Sequence, residues 1–393
     1  MSTSVLADTI TIADLDRDPY PLYRELRDRA PVAWVPVVGL WMVTRWDDVQ
    51  AVTLDHERFT ADIPGPLNRT LGRNMMHAPR DYHRRLRTMI EPLLRPVAIK
   101  RHADETIPRL ANELIDAFRD RGAAEIIAEF AESLSVRMLK HVLGLPDIPD
   151  DNLRAWFNAI ALGVANFEAD SAKQAIADRA SAELHDAVTP ILDRLRRHPD
   201  DSVLSRMLNA EFDGHRLSRE EIDGNLKLMM IGGMQEPRDV VGLALWALLT
   251  HPDQYATLLA DPTLVRKAIE ETLRWASPVG TLTRLTTAPT TLAGVDLPAG
   301  ARLGAIIASA NRDERHWRDP DRFDLNRDDL GHLAFGAGDH FCVGAWLGRA
   351  TCRVALRLLL DRLPNLRLDP TREVKLHGWE FRGVTQLHLK WDA

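Results

Sequence analysis

Phe335-Gly336-Ala337-Gly338-Asp339-His340-Phe341-Cys342-Val343-Gly344 places glycines, a histidine and a cysteine between a predicted loop and a predicted helix, Ala345–Leu360. A thiol that ligates a metal must be deprotonated, and backbone N–H groups aimed at the sulfur stabilise that charge. A tight loop can aim them only where the chain turns freely, and Gly336, Gly338 and Gly344 supply the freedom. The stretch reads as a nest for a metal-bound thiolate at Cys342. The simpler alternative is a small apolar residue packed at the helix start, the usual fate of an isolated cysteine.

The rest of the 393 residues offer no place to divide the chain. Pro and Gly are scattered, and no Ser/Gly-rich stretch, single-charge run or solenoid repeat separates two halves. One large domain, 1–393, is expected, long enough to bury a cofactor and a closed pocket. Two cysteines, Cys342 and Cys352, exclude a disulfide framework and favour a reducing compartment. Residues 1–17 lack the basic start and apolar core of a signal peptide. No run approaches the roughly 18 apolar residues of a membrane helix. A cytoplasmic protein with no membrane contact is expected, and a net charge of −7 argues against nucleic acid as a partner.

The periodicity predicts a mainly α protein with small β-sheets, an α+β arrangement in which helices dominate. Val32–Val38 and Trp41–Thr44 read as a hairpin, followed by a helix capped at Asp47 or Asp48. From about Pro79 to Pro252 apolar residues recur at three- and four-residue steps, with breaks at Pro146–Asp150 and near Asp200. Short strands are expected within Val279–Ser309 and Val374–Trp391, where the period approaches two.

At the cysteine loop the chain resembles the cytochromes P-450, whose haem-binding signature Phe-Gly-x-Gly-x-His-x-Cys-x-Gly is matched at every fixed position. The resemblance implies haem b with Cys342 as axial thiolate, Phe335 shielding the sulfur and His340 reaching a propionate. It implies the same propionate role for His83 and Arg87, one turn apart in a His-x-x-x-Arg pattern, and for Arg284 on a strand. Glu271 and Arg274, a Glu-x-x-Arg pair, would form a structural network with Arg322 of Pro320-Asp321-Arg322-Phe323. No Gly-x-Gly-x-x-Gly follows a predicted strand, so electrons must come from a separate reductase. Basic residues Arg84, Arg85, Arg87, Arg95, Lys100 and Arg101, and Arg349, Arg353 and Arg357, are where the resemblance would dock an acidic donor; ordinary solvated helix faces read the same way.

One segment departs from the family. The long helix over the haem usually carries an acid followed by threonine, yet Gly232-Gly233-Met234-Gln235-Glu236-Pro237 sets Gln235 and Glu236 in those places. Pro237 deprives the carbonyl of Gly233 of its helical partner and is expected to open the helix there. A carboxylate relays protons if burial brings its pKa near the working pH, which makes Glu236 the candidate donor, with Gln235, Gly233 and Pro237 shaping its surroundings.

This motif resembles the branch of bacterial cytochromes P-450 that O-demethylates small methoxylated aromatics such as guaiacol. The likeness extends to Ala268–Pro278, Ala293–Gly300 and Gly378–Gly383. It implies a methoxyarene substrate yielding a catechol and formaldehyde, dioxygen, and one reductase carrying FAD and an iron–sulfur cluster that uses NADH. Candidate pocket residues are Leu71, Met75, Met76, Val164, Phe167, Leu228, Ile231, Gly232, Val279, Leu282, Thr283 and Phe381. Leu71 stands where a bulkier ring is expected, which favours a guaiacol with a short 4-alkyl chain. The alternatives are a hydroxylase of another apolar substrate such as a terpenoid or macrolide, a peroxide-driven peroxygenase, and a haem sensor or electron carrier.

Overall fold

Six helices that carry much of the core are Arg80–Ile90 (α1), Asp150–Val164 (α2), Ser171–Arg197 (α3), Arg219–Thr250 (α4), Val265–Ala276 (α5) and Ala345–Arg362 (α6). They are seen in a computed structural model that describes residues 7–166, 169–328 and 331–393. The 32-residue α4 is the axis of the molecule and packs against α5, α6 and the helix Ser133–Leu143. Its start is fixed by a capping box, in which Ser218 Oγ accepts the Glu221 N–H and Glu221 Oε2 accepts the Ser218 N–H. Met230, Met234, Leu243 and Leu245 are buried along it, as befits a helix with protein on most sides.

The expected opening at Pro237 does not occur, for α4 runs unbroken through it. A proline removes one rung of the ladder. The neighbouring rungs remain, and burial of Met230, Met234, Val240 and Val241 on both sides holds the axis together. The carbonyl of Gly233 still has no N–H of residue 237 to accept.

The main sheet combines Val32–Val35 (β1), Leu40–Val43 (β2), Phe59–Thr60 (β3), Leu282–Thr286 (β4) and Arg302–Ala305 (β5) in the order β1-β2-β5-β4-β3. Only β2 and β5 pair in parallel, and the register sets Leu303 opposite Arg284. Smaller sheets include Ala123–Glu125 with His388–Lys390 and Arg367–Leu368, and the hairpin Leu376–His377 with Gly383–Val384. Asp47 and Asp48 sit in the first turn of Trp46–Leu54 rather than at its cap; the Trp46 N–H is donated to Asp313 Oδ2 at 2.9 Å.

Behind the Cys342 loop lies a buried charge network. Arg274 donates to both oxygens of Glu271 at 2.7 and 2.8 Å and to the carbonyls of Asn311, Pro320 and Arg322. The third member is Arg327, 3.3 Å from Glu271, and not Arg322, whose side chain is 60% exposed. Phe323 turns inward at 1% exposure, so its neighbour Arg322 points outward and gives the network only its carbonyl oxygen. Removing one partner of such a buried set leaves an uncompensated charge. Glu271→Gln should therefore lower the unfolding free energy by about 3–5 kcal/mol, whereas Arg322→Ala should change it by about 0.5 kcal/mol or less. Urea unfolding followed by tryptophan fluorescence measures both, and equal losses would return Arg322 to the network.

Candidate active site

Gly336 and Gly338 adopt φ of +70° and +65°, the left-handed region that glycine enters without strain, and so fold the loop back on itself. The Cys342 N–H is donated to the Phe335 carbonyl at 2.9 Å, and the Gly344 N–H points at the cysteine sulfur. Phe335 is covered by the Arg349 guanidinium, 4.2 Å from its ring centroid. Arg349 is held in turn by two bonds to Glu270, at 2.8 and 3.0 Å. Burial opposes ionisation of Glu270, yet hydrogen bonds from His332 and Arg349 outweigh it and keep its pKa at about 2.

Cys342 is accessible at its surface, whereas Cys352 is 2% exposed and packed as a small apolar residue. Burial nonetheless pushes the Cys342 thiol pKa up, opposed by the Gly344 N–H, Arg87 and Arg349. A thiol that is accessible and yet surrounded by protein lines an internal space.

The facing wall is α4, pinned to α6 where Cys352 Sγ meets the Pro237 carbonyl at 3.7 Å. Gly232 is exposed although Ile231 and Met234 on either side are buried. Glu236 Oε2 lies 3.8 Å from where a Cβ on Gly232 would stand, is shielded from solvent and has no hydrogen-bond partner. Burial raises the Glu236 pKa to about 8, with a further push from Asp239, and its charge would in turn raise that of Cys342. Thiol and carboxyl therefore look into one space.

A third wall is cationic. Arg284 is 6% exposed and donates to the Thr283 carbonyl, but its Nε has no partner, and burial lowers its pKa to about 10. The His83 and His340 rings lie 4.1 Å apart with His56 5.7 Å from His340. Burial, reinforced by His83, Arg284, His56 and Arg87, holds the His340 pKa down at about 3. Arg87 bonds to the Phe341 carbonyl at 2.6 Å and to Glu91 at 2.7 Å. His77, which the sequence did not single out, adds a buried Nδ1 without a partner and a pKa lowered to about 4 by burial and by Arg284. A lone histidine in Met75-Met76-His77 carries no spacing that could have flagged it. Among the described residues the carboxylates reaching this wall are Glu91, taken by Arg87 and Arg95, and Asp339, 57% exposed and 3.7 Å from His56. Two carboxylates of a bound group would satisfy these donors.

The apolar candidates divide. Leu71, Met75, Val164 and Ile231 are buried in one cluster, with Met76 and Leu228 packed against it. Val279 bridges to Phe381, which sets those two side by side. Leu282 and Thr283 are successive strand residues and face opposite sides. Leu282 reaches the Cys342 loop, 3.4 Å from a Cβ built on Gly336. Phe167 lies outside the described residues. The basic surface residues are largely neutralised in place: Arg84 by Asp81, Arg85 by Glu221, Arg95 by Glu91, Lys100 by Asp104, Arg101 by Glu105 and Arg357 by Asp361.

Among the described residues no three His, Cys, Asp or Glu side chains gather to hold a metal ion, so a metal on Cys342 must bring its other ligands with it. A flat, dianionic macrocycle carrying iron meets that requirement and the demand of the cationic wall together. None of the described helices is long and apolar enough to cross a membrane.

Comparison with known proteins agrees with this geometry. The cytochrome P450 family profile matches residues 165–378. Cytochrome P450 monooxygenase PikC of Streptomyces venezuelae is 33% identical over 395 residues, 96% of this chain and 92% of its own. Vitamin D(3) 25-hydroxylase of Pseudonocardia autotrophica is 34% identical, over 90% of this chain and 88% of its own. The structure of CYP109E1 from Bacillus megaterium in complex with testosterone superposes with a TM-score of 0.87 at 28% identity, over 96% of this chain and 100% of that one. With relatives above 30% identity aligned over nearly its whole length, the chain belongs to the cytochrome P450 family, whose iron is carried by haem on a cysteine thiolate and whose electrons come from a separate reductase.

Proposed function

We propose that Cys342 holds the haem iron with Phe335 shielding its sulfur, that His83, Arg87, Arg284 and His340 pair the propionates, and that Glu236 delivers protons from the facing wall while a C–H bond of an apolar substrate is oxygenated. The observation that carries this reading is the accessible thiol of Cys342 lying within electrostatic reach of Glu236, whose Oε2 is buried without a hydrogen-bond partner. Bound haem supplies the reductive activation of dioxygen and the transfer of one oxygen atom to carbon. Glu236 is protonated below about pH 8 and so can donate at neutral pH. Gly232 leaves room beside it, and the Gly233 carbonyl freed by Pro237 offers an acceptor that can steer a proton carrier toward it.

For the substrate we propose a small methoxylated aromatic of the guaiacol or 4-alkylguaiacol type. Oxygenation of a methoxy methyl gives a hemiacetal that collapses to formaldehyde and a catechol, so O-demethylation is hydroxylation at carbon next to oxygen. Support comes from Gln235-Glu236 in place of the usual acid and threonine, and from the buried Leu71, Met75, Val164 and Ile231. The relatives favour a second reading, hydroxylation of a bulkier apolar molecule: one is named for vitamin D(3), another was solved with testosterone, and none of the three is named an aryl-ether demethylase. Spectral titration of the ferric holoprotein with graded 4-alkylguaiacols, a sterol and a macrolactone, followed by a formaldehyde assay, separates the two. A spin-state shift and formaldehyde from the guaiacols alone favours demethylation; a shift with the bulky compounds alone defeats it.

Three variants test the residues. Cys342→Ser should abolish the red-shifted Soret band that thiolate ligation gives the reduced carbon monoxide complex, and retention of that band would remove Cys342 from the iron. Arg284→Gln should speed haem loss to an acceptor apoprotein by about 10- to 100-fold, the worth of one charge-assisted hydrogen bond. Turnover should fall as pH rises through about 8, because Glu236 then loses the proton it donates. In Glu236→Gln that fall should vanish and product formed per NADH should drop; a wild-type pH profile in this variant would rule out the donor role.

A further inference from the structure

Glu236 raises a question of supply. The residue is half-buried, but its Oε2 is shielded from solvent and has no hydrogen-bond partner, so neighbouring groups are placed to return a proton lost there. One turn further along α4, on the same flank, lies Asp239, 2% exposed. Residues three apart on a helix have Cβ atoms about 5–6 Å apart, within reach of a direct contact or one bridging water. Asp239 accepts Arg238 Nε at 2.9 Å and a hydrogen bond from Gln235, the residue that stands where the family acid usually does. The acid has thus moved one turn along the helix, and an amide now links its old and new places.

The outer side of Asp239 is equally specific. Its carboxyl is pressed against Gly383, where a Cβ would come within 2.8 Å of Oδ1 and 2.9 Å of Cγ, so the strand is free of a side chain at the point of contact. Gly383 is the register partner of His377 in the hairpin, and His377 is only partly buried and close enough to Asp239 for their charges to interact. The charged or titratable groups facing Asp239 are therefore Arg238 and Glu236 on its own helix and His377 on the hairpin, while Glu236 also faces Cys342. An ion pair with Arg238 alone would account for a buried aspartate. It would not account for a half-buried histidine on its far side and an unpartnered carboxyl oxygen on its near side.

We infer that His377 and Asp239 form the inlet through which Glu236 is reprotonated from solvent. The inference rests on the reading of Glu236 as proton donor. Glu236 gives its proton inward and becomes a carboxylate. Asp239, protonated from solvent by way of His377, returns one proton to it directly or through a single water. Only O–H and N–H bonds form and break, no electrons move, and the net result is one proton carried inward.

The test has a spectroscopic and a kinetic arm. The infrared carbonyl band of protonated Glu236, assigned by its loss in Glu236→Gln, is titrated in the ferric holoprotein. In Asp239→Asn its midpoint should move to lower pH, because the charge that disfavours the Glu236 carboxylate is gone. With reductase, NADH and whichever panel compound shifts the spin state most, Asp239→Asn and His377→Gln should each slow turnover about 10-fold and raise the solvent deuterium isotope effect. That is less than the roughly 10²-fold or more that a direct donor supplies. Spectral affinity for the compound should stay unchanged, and Asp239→Asn should add nothing further in a Glu236→Gln background. If Asp239→Asn fails to retain haem, His377→Gln on the hairpin carries the kinetic arm alone. An unshifted midpoint, or an unchanged turnover rate and isotope effect in both variants, overturns the inlet; if Glu236→Gln is impaired in the same experiment, Glu236 stands as donor without it. Unimpaired Glu236→Gln overturns both.

Discussion

A negative charge on the sulfur of Cys342, the proposed haem ligand, is the constraint around which the neighbouring structure is organised. Burial alone disfavours that charge. The Gly336 and Gly338 turns, the Gly344 N–H and the Arg87 and Arg349 guanidinium groups all act in the opposite direction. Each is anchored further out. Arg349 is tied to Glu270, Glu270 to His332, and the neighbouring Glu271 to Arg274 and Arg327, so α5 and α6 are fixed to the chain that delivers the loop. The charge network is therefore the rear support of the thiolate loop.

Across from this charge the protein places a neutral acid. Burial, reinforced by Asp239, raises the Glu236 pKa, and Glu236 in turn makes ionisation of Cys342 harder. The arrangement separates roles by environment: on one side a thiol near cations and an N–H group, on the other a carboxyl whose Oε2 is buried without a partner. The third wall sets the unpartnered Nε of Arg284 with the closely packed His83 and His340, donors that two carboxylates would pair. The thiol and the cationic wall would share one partner, an anionic macrocycle bearing iron.

What could be read along the chain was what depends on near neighbours in sequence. The glycine spacing around Cys342, Glu236-Pro237 and the Glu271/Arg274 pair are each set within a few residues, and their types already state the chemistry. Arg327 was missed because only the fold reveals that Phe323 turns inward and sends Arg322 outward. The break foreseen at Pro237 reflected local propensity, which the packing of Met234 and Val240 overrides. Strand alternation, a matter of register with β5, decides that Leu282 and not Thr283 shares a face with Arg284. His77, His56 and the meeting of Asp239 with Gly383 join segments far apart in the chain, and no pattern within any one of them records the contact.

The account turns on a protonated carboxyl facing thiolate-bound iron. The stretching frequency of carbon monoxide on the reduced holoprotein reads both at once, because it responds to the ligand beneath the iron and to a hydrogen bond from above. The account predicts two bands that exchange with a midpoint near the Glu236 pKa of about 8, the acid-side band at lower frequency and absent from Glu236→Gln. A single band whose frequency is the same on either side of that pH, in the wild-type protein, would contradict it.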